Sequence, residues 1–113
     1  MHELSLAAEV IDLASREAKK NDIGSVTEIV VEVGDLSGVE ADIFQSALEM
    51  IVKDTILGHA DLRLIRTAGM GKCDACKKEF EMHQRIELCP DCGCFPSEIS
   101  GGQEFRVLSI SGE

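Results

Sequence analysis

The apolar positions between residues 4 and 20 recur with the period of a helix. Leu4, Ala7, Ala8, Ile11, Ala14 and Ala18 form one stripe, widened by Val10 and Leu13. Glu3, Glu9, Asp12, Arg16, Glu17, Lys19 and Lys20 make the polar face, with acids early and bases late, as the helix dipole favours. Asn21-Asp22-Ile23-Gly24 ends this helix. The pattern then changes. Val26, Ile29, Val30, Val31 and Val33 are β-branched, and Glu28 and Glu32 alternate around Val30, which predicts a strand over 26–33. Gly34-Asp35-Leu36-Ser37-Gly38 reads as a loop. Phe44, Ala47, Leu48 and Ile51 share a face of a second helix over about 40–54, closed by Leu57-Gly58-His59. Residues 60–67, around Leu62, Leu64 and Ile65, predict a second strand, and residues 104–111 a third.

The periodic pattern breaks at Ala68-Gly69-Met70-Gly71. The segment over about 70–100 is polar, with little apolar material beyond Phe80, Met82, Ile86, Leu88 and Phe95. It reads as too poor in apolar residues for a core of its own, so a metal is expected to hold it together. The expected architecture is α+β: two helices packed on a small three-stranded sheet. A four-cysteine, zinc-ribbon-like domain is inserted between the second and third strands. The expected division is 1–69 with 101–113 as one domain and 70–100 as the other.

The cysteines supply the chemistry of the insert. Cys73-Asp-Ala-Cys76 and Cys89-Pro-Asp-Cys92-Gly93 are two Cys-x-x-Cys pairs, and together they read as one four-thiolate zinc site. Each pair brings two sulfurs to one edge of a tetrahedron. Gly93 suits the tight turn after the second pair, where a backbone N–H approaches a thiolate. Four protein ligands point to a closed structural site, whereas a catalytic one keeps a position open. A redox Cys-x-x-Cys is the competing reading, disfavoured by the matched pairs. A rubredoxin-like iron site uses the same ligands, and spacing does not separate it from zinc. Cys94 is the spare thiol and reads as a non-ligand on the turn. The minority reading has Cys94 or His83 exchanging into the shell.

Charge and targeting signals narrow the partners. The 113 residues carry a formal net charge of −10, from 21 acidic against 11 basic residues. Such a field repels phosphate backbones, so nucleic acid is not expected as a partner, and a cation or a basic protein surface suits it better. No apolar run approaches the roughly 20 residues needed to cross a bilayer. Met-His-Glu-Leu-Ser lacks the basic start and apolar run of a secretory signal. A soluble, cytoplasmic, reducing setting is the expectation, with thiolates on metal and not in disulfides.

The amino terminus offers a second arrangement. The bulk of His2 hinders removal of Met1, so the Met1 amine, the His2 backbone nitrogen and the His2 imidazole lie within one short stretch. Glu3 adds a nitrogen or a carboxylate. A nitrogen-rich tetragonal set of this kind suits nickel(II) or copper(II) and suits zinc poorly. The bland reading, a polar helix start, is the commoner fate of a lone terminal His and accounts for Glu3 equally well. His59 and His83 read as turn or surface residues. Asp35, Glu40 and Asp42 gather before the second helix; capping and solubility are the bland reading, and it fits Asp42. No phosphate-binding glycine loop and no nucleophile elbow is present, so nucleotide binding and hydrolase activity have no support.

These motifs together resemble a known family. Met1-His2-Glu3-Leu4-Ser5-Leu6-Ala7, Val33-Gly34-Asp35-Leu36-Ser37-Gly38-Val39, Cys73-x-x-Cys76, Cys89-Pro-x-Cys92-Gly93 and Gly102-x-Glu104-Phe105 occur in the order and total length of the HypA/HybF family of hydrogenase nickel-incorporation proteins. The resemblance implies a nickel metallochaperone, not an enzyme. It implies delivery of Ni(II) during maturation of nickel-iron hydrogenase, and in some organisms of urease. A HypB-type GTPase and a hydrogenase large-subunit precursor are the implied partners, and a homodimer is compatible with it. By the same resemblance Met1, His2 and Glu3 match the nickel-binding terminus, and residues 1–69 with 101–113 the nickel-binding domain. Cys73, Cys76, Cys89 and Cys92 match the structural zinc ligands. Glu40 falls where some members carry an acidic residue near the nickel. Cys94 departs from the family pattern, in which a non-cysteine follows Cys-Gly. Two other classes remain at this stage: a zinc-ribbon interaction module with an inert terminus, and a small redox or iron carrier.

Overall fold

The computed structural model describes residues 2–113, so Met1 lies outside it. Two helices and six strands follow in the order α1 (His2–Lys20), β1 (Val26–Gly34), α2 (Ala41–Ile51), β2 (Asp61–Thr67), β3 (Gly69–Cys73), β4 (Lys78–Met82), β5 (Glu98–Gly101) and β6 (Phe105–Gly112). They form two three-stranded sheets, ordered β2-β1-β6 and β4-β3-β5. Both expected helices, the three expected strands and the insertion point of the cysteine segment are present. The second sheet, inside the cysteine segment, is an addition to the expected architecture.

The chain divides into two compact units. The first comprises the stretch up to Glu32, Glu40–Ile65 and Arg106–Glu113. Its buried side chains come from both helices, the central strand and, after α2, Val52 and Leu57. Ala7, Val10, Ala14 and Ala18 line α1, Ile29 and Val31 sit on β1, and Phe44 and Leu48 on α2. The alanine stripe lets the helices approach closely, and α1 packs on α2. Each large side chain among these contributes about 1.5–3 kcal/mol by leaving water. The last strand, β6, is tied beside β1 at both ends of the first unit. Glu113 and Ser25 exchange N–H···O bonds of 3.0 and 3.1 Å. The Arg106 Nε donates to Glu32 Oε1 at 2.6 Å.

Helix α2 stops at Ile51, three residues short of the expected end. Ile51 and Val52 are consecutive β-branched residues, unfavourable against the preceding turn. Asp54 then takes φ of 63°, which ends any helical path, and Thr55 Oγ1 bonds the Val52 carbonyl at 2.5 Å.

The second unit comprises Val33–Val39 and Arg66–Phe105, wider than the cysteine segment delimited from composition. The segment was expected to lack a core of its own, and a residue from outside it completes one: Leu36, Cys73, Phe80, Met82 and Cys89 form a buried cluster, with Cys76 and Ile99 packed against it. The missing apolar residue arrives from the loop after β1. Leu36 is 1 % exposed, and its carbonyl accepts two bonds from Arg85, Nε at 3.3 Å and Nη2 at 3.1 Å. Of the few apolar residues of the segment, Ile86, Leu88 and Phe95 are 79 %, 47 % and 70 % exposed. They lie on loops that no strand pairing turns inward. Among the described residues, no helix is long and apolar enough to cross a membrane.

Candidate metal centre

The four-cysteine site is built on a hairpin. Strands β3 and β4 pair antiparallel from Gly69↔Met82 to Cys73↔Lys78. Cys73 therefore ends β3, and Cys76 sits in the tight connection. Lys77, the residue after Cys76, has φ of 61°, and Gly93, the residue after Cys92, has φ of 74°. The two Cys-x-x-Cys turns thus close with the same left-handed residue, one with glycine and one without. In the second turn the Gly93 N–H reaches the Cys89 carbonyl at 2.8 Å, and the Cys89 N–H the Cys94 carbonyl at 2.8 Å. Lys78 at the foot of β4 meets Asp91 of the second turn at 3.0 Å. Ser97 bonds the Lys72 carbonyl through both its N–H, at 2.8 Å, and its Oγ, at 2.9 Å.

These turns bring the four sulfurs together. The Sγ atoms of Cys73, Cys76, Cys89 and Cys92 all lie within 4.8 Å of one another. Cys73 and Cys92 are 3.4 Å apart, and Cys76 and Cys89 3.5 Å. A tetrahedron of zinc–sulfur bonds near 2.3 Å has an edge of about 3.8 Å, so the donor set fits Zn(II) with small adjustments. A bound zinc ion would supply positive charge to the thiolates and cross-link the β3–β4 hairpin to the 89–92 turn. Cys94 and His83 stand outside this group. Cys94 is exposed with its Sγ 4.0 Å from the Cys92 carbonyl. The exposed His83 faces Glu81 at 3.9 Å.

The sulfurs differ in acidity without metal. The N–H of Cys76 and a hydrogen bond from the Cys92 thiol lower Cys73 to about 7, against burial. At Cys92 the Cys94 N–H lowers the pKa. The bond to Cys73, partial desolvation and the neighbouring thiols outweigh it and push Cys92 up to about 12. Cys76 is raised by its bond to Cys89 and by burial. Cys73 is thus more acidic than Cys76 and Cys92.

The terminal candidates are placed as follows. His2 is exposed in the first turn of α1, and Glu3 is half-buried. The Glu3 Oε2 accepts the N–H of Glu40 at 3.3 Å, which sets the start of α1 beside the start of α2. Met1, the third terminal candidate, is outside the described residues. Sequence reasoning missed Leu36 and Lys77. A single large apolar residue in a polar, glycine-flanked loop was the available signal for Leu36. None existed for a left-handed lysine.

Fold and site define a small α+β protein with a four-thiolate structural metal knuckle. Across residues 1–112 the chain matches the family model HypA, hydrogenase/urease nickel incorporation, metallochaperone. The chain belongs to this family. It is 39% identical over 110 residues to a hydrogenase maturation factor HypA of Francisella philomiragia, covering 97% of each chain. It is 34% identical over 113 residues to one of Geotalea uraniireducens, covering 100% of each. The solution structure of the Ni metallochaperone HypA from Helicobacter pylori is similar, with a TM-score of 0.66 at 26% identity, covering 97% of this chain and 96% of that one.

Proposed function

We propose that the chain carries Ni(II) as cargo at Met1, His2 and Glu3 and hands it on during maturation of nickel-iron hydrogenase or urease. Zinc on Cys73, Cys76, Cys89 and Cys92 serves as a permanent scaffold. The observation that carries this reading is the position of His2 and Glu3 in the first turn of α1. The first N–H groups of a helix have no intrahelical acceptor, so their nitrogens can bind a metal without breaking a helical bond. Glu40 is the N-cap of α2 and its N–H bonds Glu3, and Asp42 adds negative charge in the first turn of α2, which suits a divalent cation. An exposed site made of amine, amide and imidazole must shed protons to bind and can release its metal again.

The reading is of a carrier and not of an enzyme. Its partners are a HypB-type GTPase and a hydrogenase large-subunit precursor, and a second copy of the chain in a homodimer. It works in the cytoplasm, where reducing conditions suit five cysteines that form no disulfide. Equilibrium dialysis tests it: wild type takes up nickel, His2→Ala does not, and zinc is equal in both. Equal nickel uptake by the two proteins would sink it. Zinc counting on alanine variants tests the scaffold, with an unchanged count for Cys94 and a reduced one for Cys92.

A second reading, an interaction module without metal delivery, draws support from the exposed Ile86 and Phe95 of the cysteine unit. An N-terminal extension separates the two. It abolishes nickel binding by the carrier and changes nothing in the module.

A further inference from the structure

Glu3 carries a carboxylate that a chelate of nitrogens does not need. It lies in the first turn of α1 and is acidic, yet it is half-buried. Its Oε2 reaches 37 residues along the chain to accept the Glu40 N–H at 3.3 Å. Glu40 is the N-cap of α2, with φ −82° and ψ 111°, and its own side chain makes no capping hydrogen bond. A cap residue ordinarily satisfies one of the free N–H groups that follow it. Here the carboxylate that reaches the start of α2 comes from a different helix.

The electrostatics point the same way. Each helix carries roughly half a positive charge at its N-terminus. Bringing the starts of α1 and α2 together sets two such ends side by side, which is unfavourable without an anion. Glu3 supplies one at the meeting point, and Asp42 adds another in the first turn of α2.

We infer that Glu3 is a positioning residue. Its carboxylate latches the terminal turn of α1 onto the start of α2, and it does not bind nickel through oxygen. The latch exists in the metal-free protein. Its consequence for nickel rests on the carrier reading above: holding the His2–Glu3 turn in place before the metal arrives reduces the ordering cost of binding. Glu3→Gln keeps an acceptor oxygen and loses the charge, whereas Glu3→Ala loses both.

The experiment has a metal-free arm and a nickel arm, with far-UV circular dichroism and zinc content confirming that each variant is folded. In the metal-free protein, hydrogen exchange of the Glu40 amide is followed by NMR. Glu3→Ala is expected to speed it about three- to tenfold, as for loss of one typical solvent-exposed hydrogen bond, and Glu3→Gln to restore part of the protection. In the nickel arm, competition with a chromophoric chelator is expected to give about three- to tenfold weaker binding for Glu3→Ala, by the same one-bond arithmetic. The nickel absorption spectrum should stay that of wild type. Unchanged Glu40 exchange in Glu3→Ala overturns the latch. So does an altered nickel spectrum in both Glu3 variants, which would make the carboxylate a ligand. Equal nickel uptake by wild type and His2→Ala overturns the carrier reading instead, and the metal-free exchange then decides the latch by itself.

Discussion

Gly34 and Gly102 meet backbone to backbone, so that a Cβ on Gly34 would fall on the carbonyl group of Gly102. The Leu36 N–H bonds that same carbonyl at 2.7 Å, and the Gly34 N–H bonds Glu104 at 2.7 Å. The segments after β1 and before β6 are thereby stitched together inside the second unit. Gly102 adds a φ of 86°, and a Cβ there would fall on Gly69.

Gly34→Ala is therefore expected to cost about 3 kcal/mol, because backbone must move to admit one methyl group. Gly24→Ala is the control. Its nearest neighbour would be the Glu113 carbonyl at 3.8 Å, an ordinary contact, and the change should stay within about 0.5 kcal/mol. Urea unfolding of the two variants measures the contrast.

Leu36 links the β1–α2 loop to the cysteine knuckle through its contacts with Cys73, Phe80, Met82 and Cys89. Leu36→Ala should lose about 2–4 kcal/mol from the cavity it leaves. It should also release zinc to a chelator faster than wild type, because the sulfurs of Cys73 and Cys89 sit in the same cluster. Zinc release at wild-type rate would show that the cluster does not support the site.

Acidity provides a pH test. Cys73 in the folded, metal-free protein is lowered from 9.0 to about 7. A depressed pKa contributes stability that is complete above the unfolded value and is lost as pH falls through the folded one. The contribution of Cys73 is thus present above pH 9 and lost as pH falls towards 7. Cys92, raised to about 12, stays protonated through this window. Titrating the ultraviolet thiolate band of the metal-free protein should reveal one early ionisation that Cys73→Ser removes. Zinc affinity should fall as pH drops, since every sulfur must release its proton to bind.

Glu32 offers a separate test in the first unit. Its side chain is 12% exposed and that of Arg106 62%. Removing the arginine leaves a nearly buried carboxylate short of a strong donor. Arg106→Ala should cost about 2 kcal/mol, the range for a hydrogen bond to a charged group. Arg106→Lys should recover part of it. Loss of under about 0.5 kcal/mol, the scale of a featureless surface change, would mean that water replaces the guanidinium.

Much of this protein is written in local pattern. The alanine stripe of α1, the valine run of β1 and the short apolar face of α2 each follow from side-chain periodicity over a few turns or pleats. The two Cys-x-x-Cys pairs announce a shared metal because a tetrahedral ion constrains the spacing of its ligands. The terminal Met-His-Glu offers a compact set of nitrogen donors, but its local pattern reads equally well as a polar helix start, and only the family resemblance singles it out.

Other features depend on residues far apart in the chain, and local pattern is blind to those. Leu36 looked like a loop residue and became core because strands β3 and β4 left an apolar gap that only a distant side chain could fill. Phe80 and Met82 are buried while Ile86 and Phe95 of the same segment stay exposed, since burial follows from which neighbours arrive and not from hydrophobicity alone. Glu3 looked like an ordinary acidic helix start. Only the folded chain places it on the Glu40 amide, because the close packing of two helices through small alanines brings their first turns together.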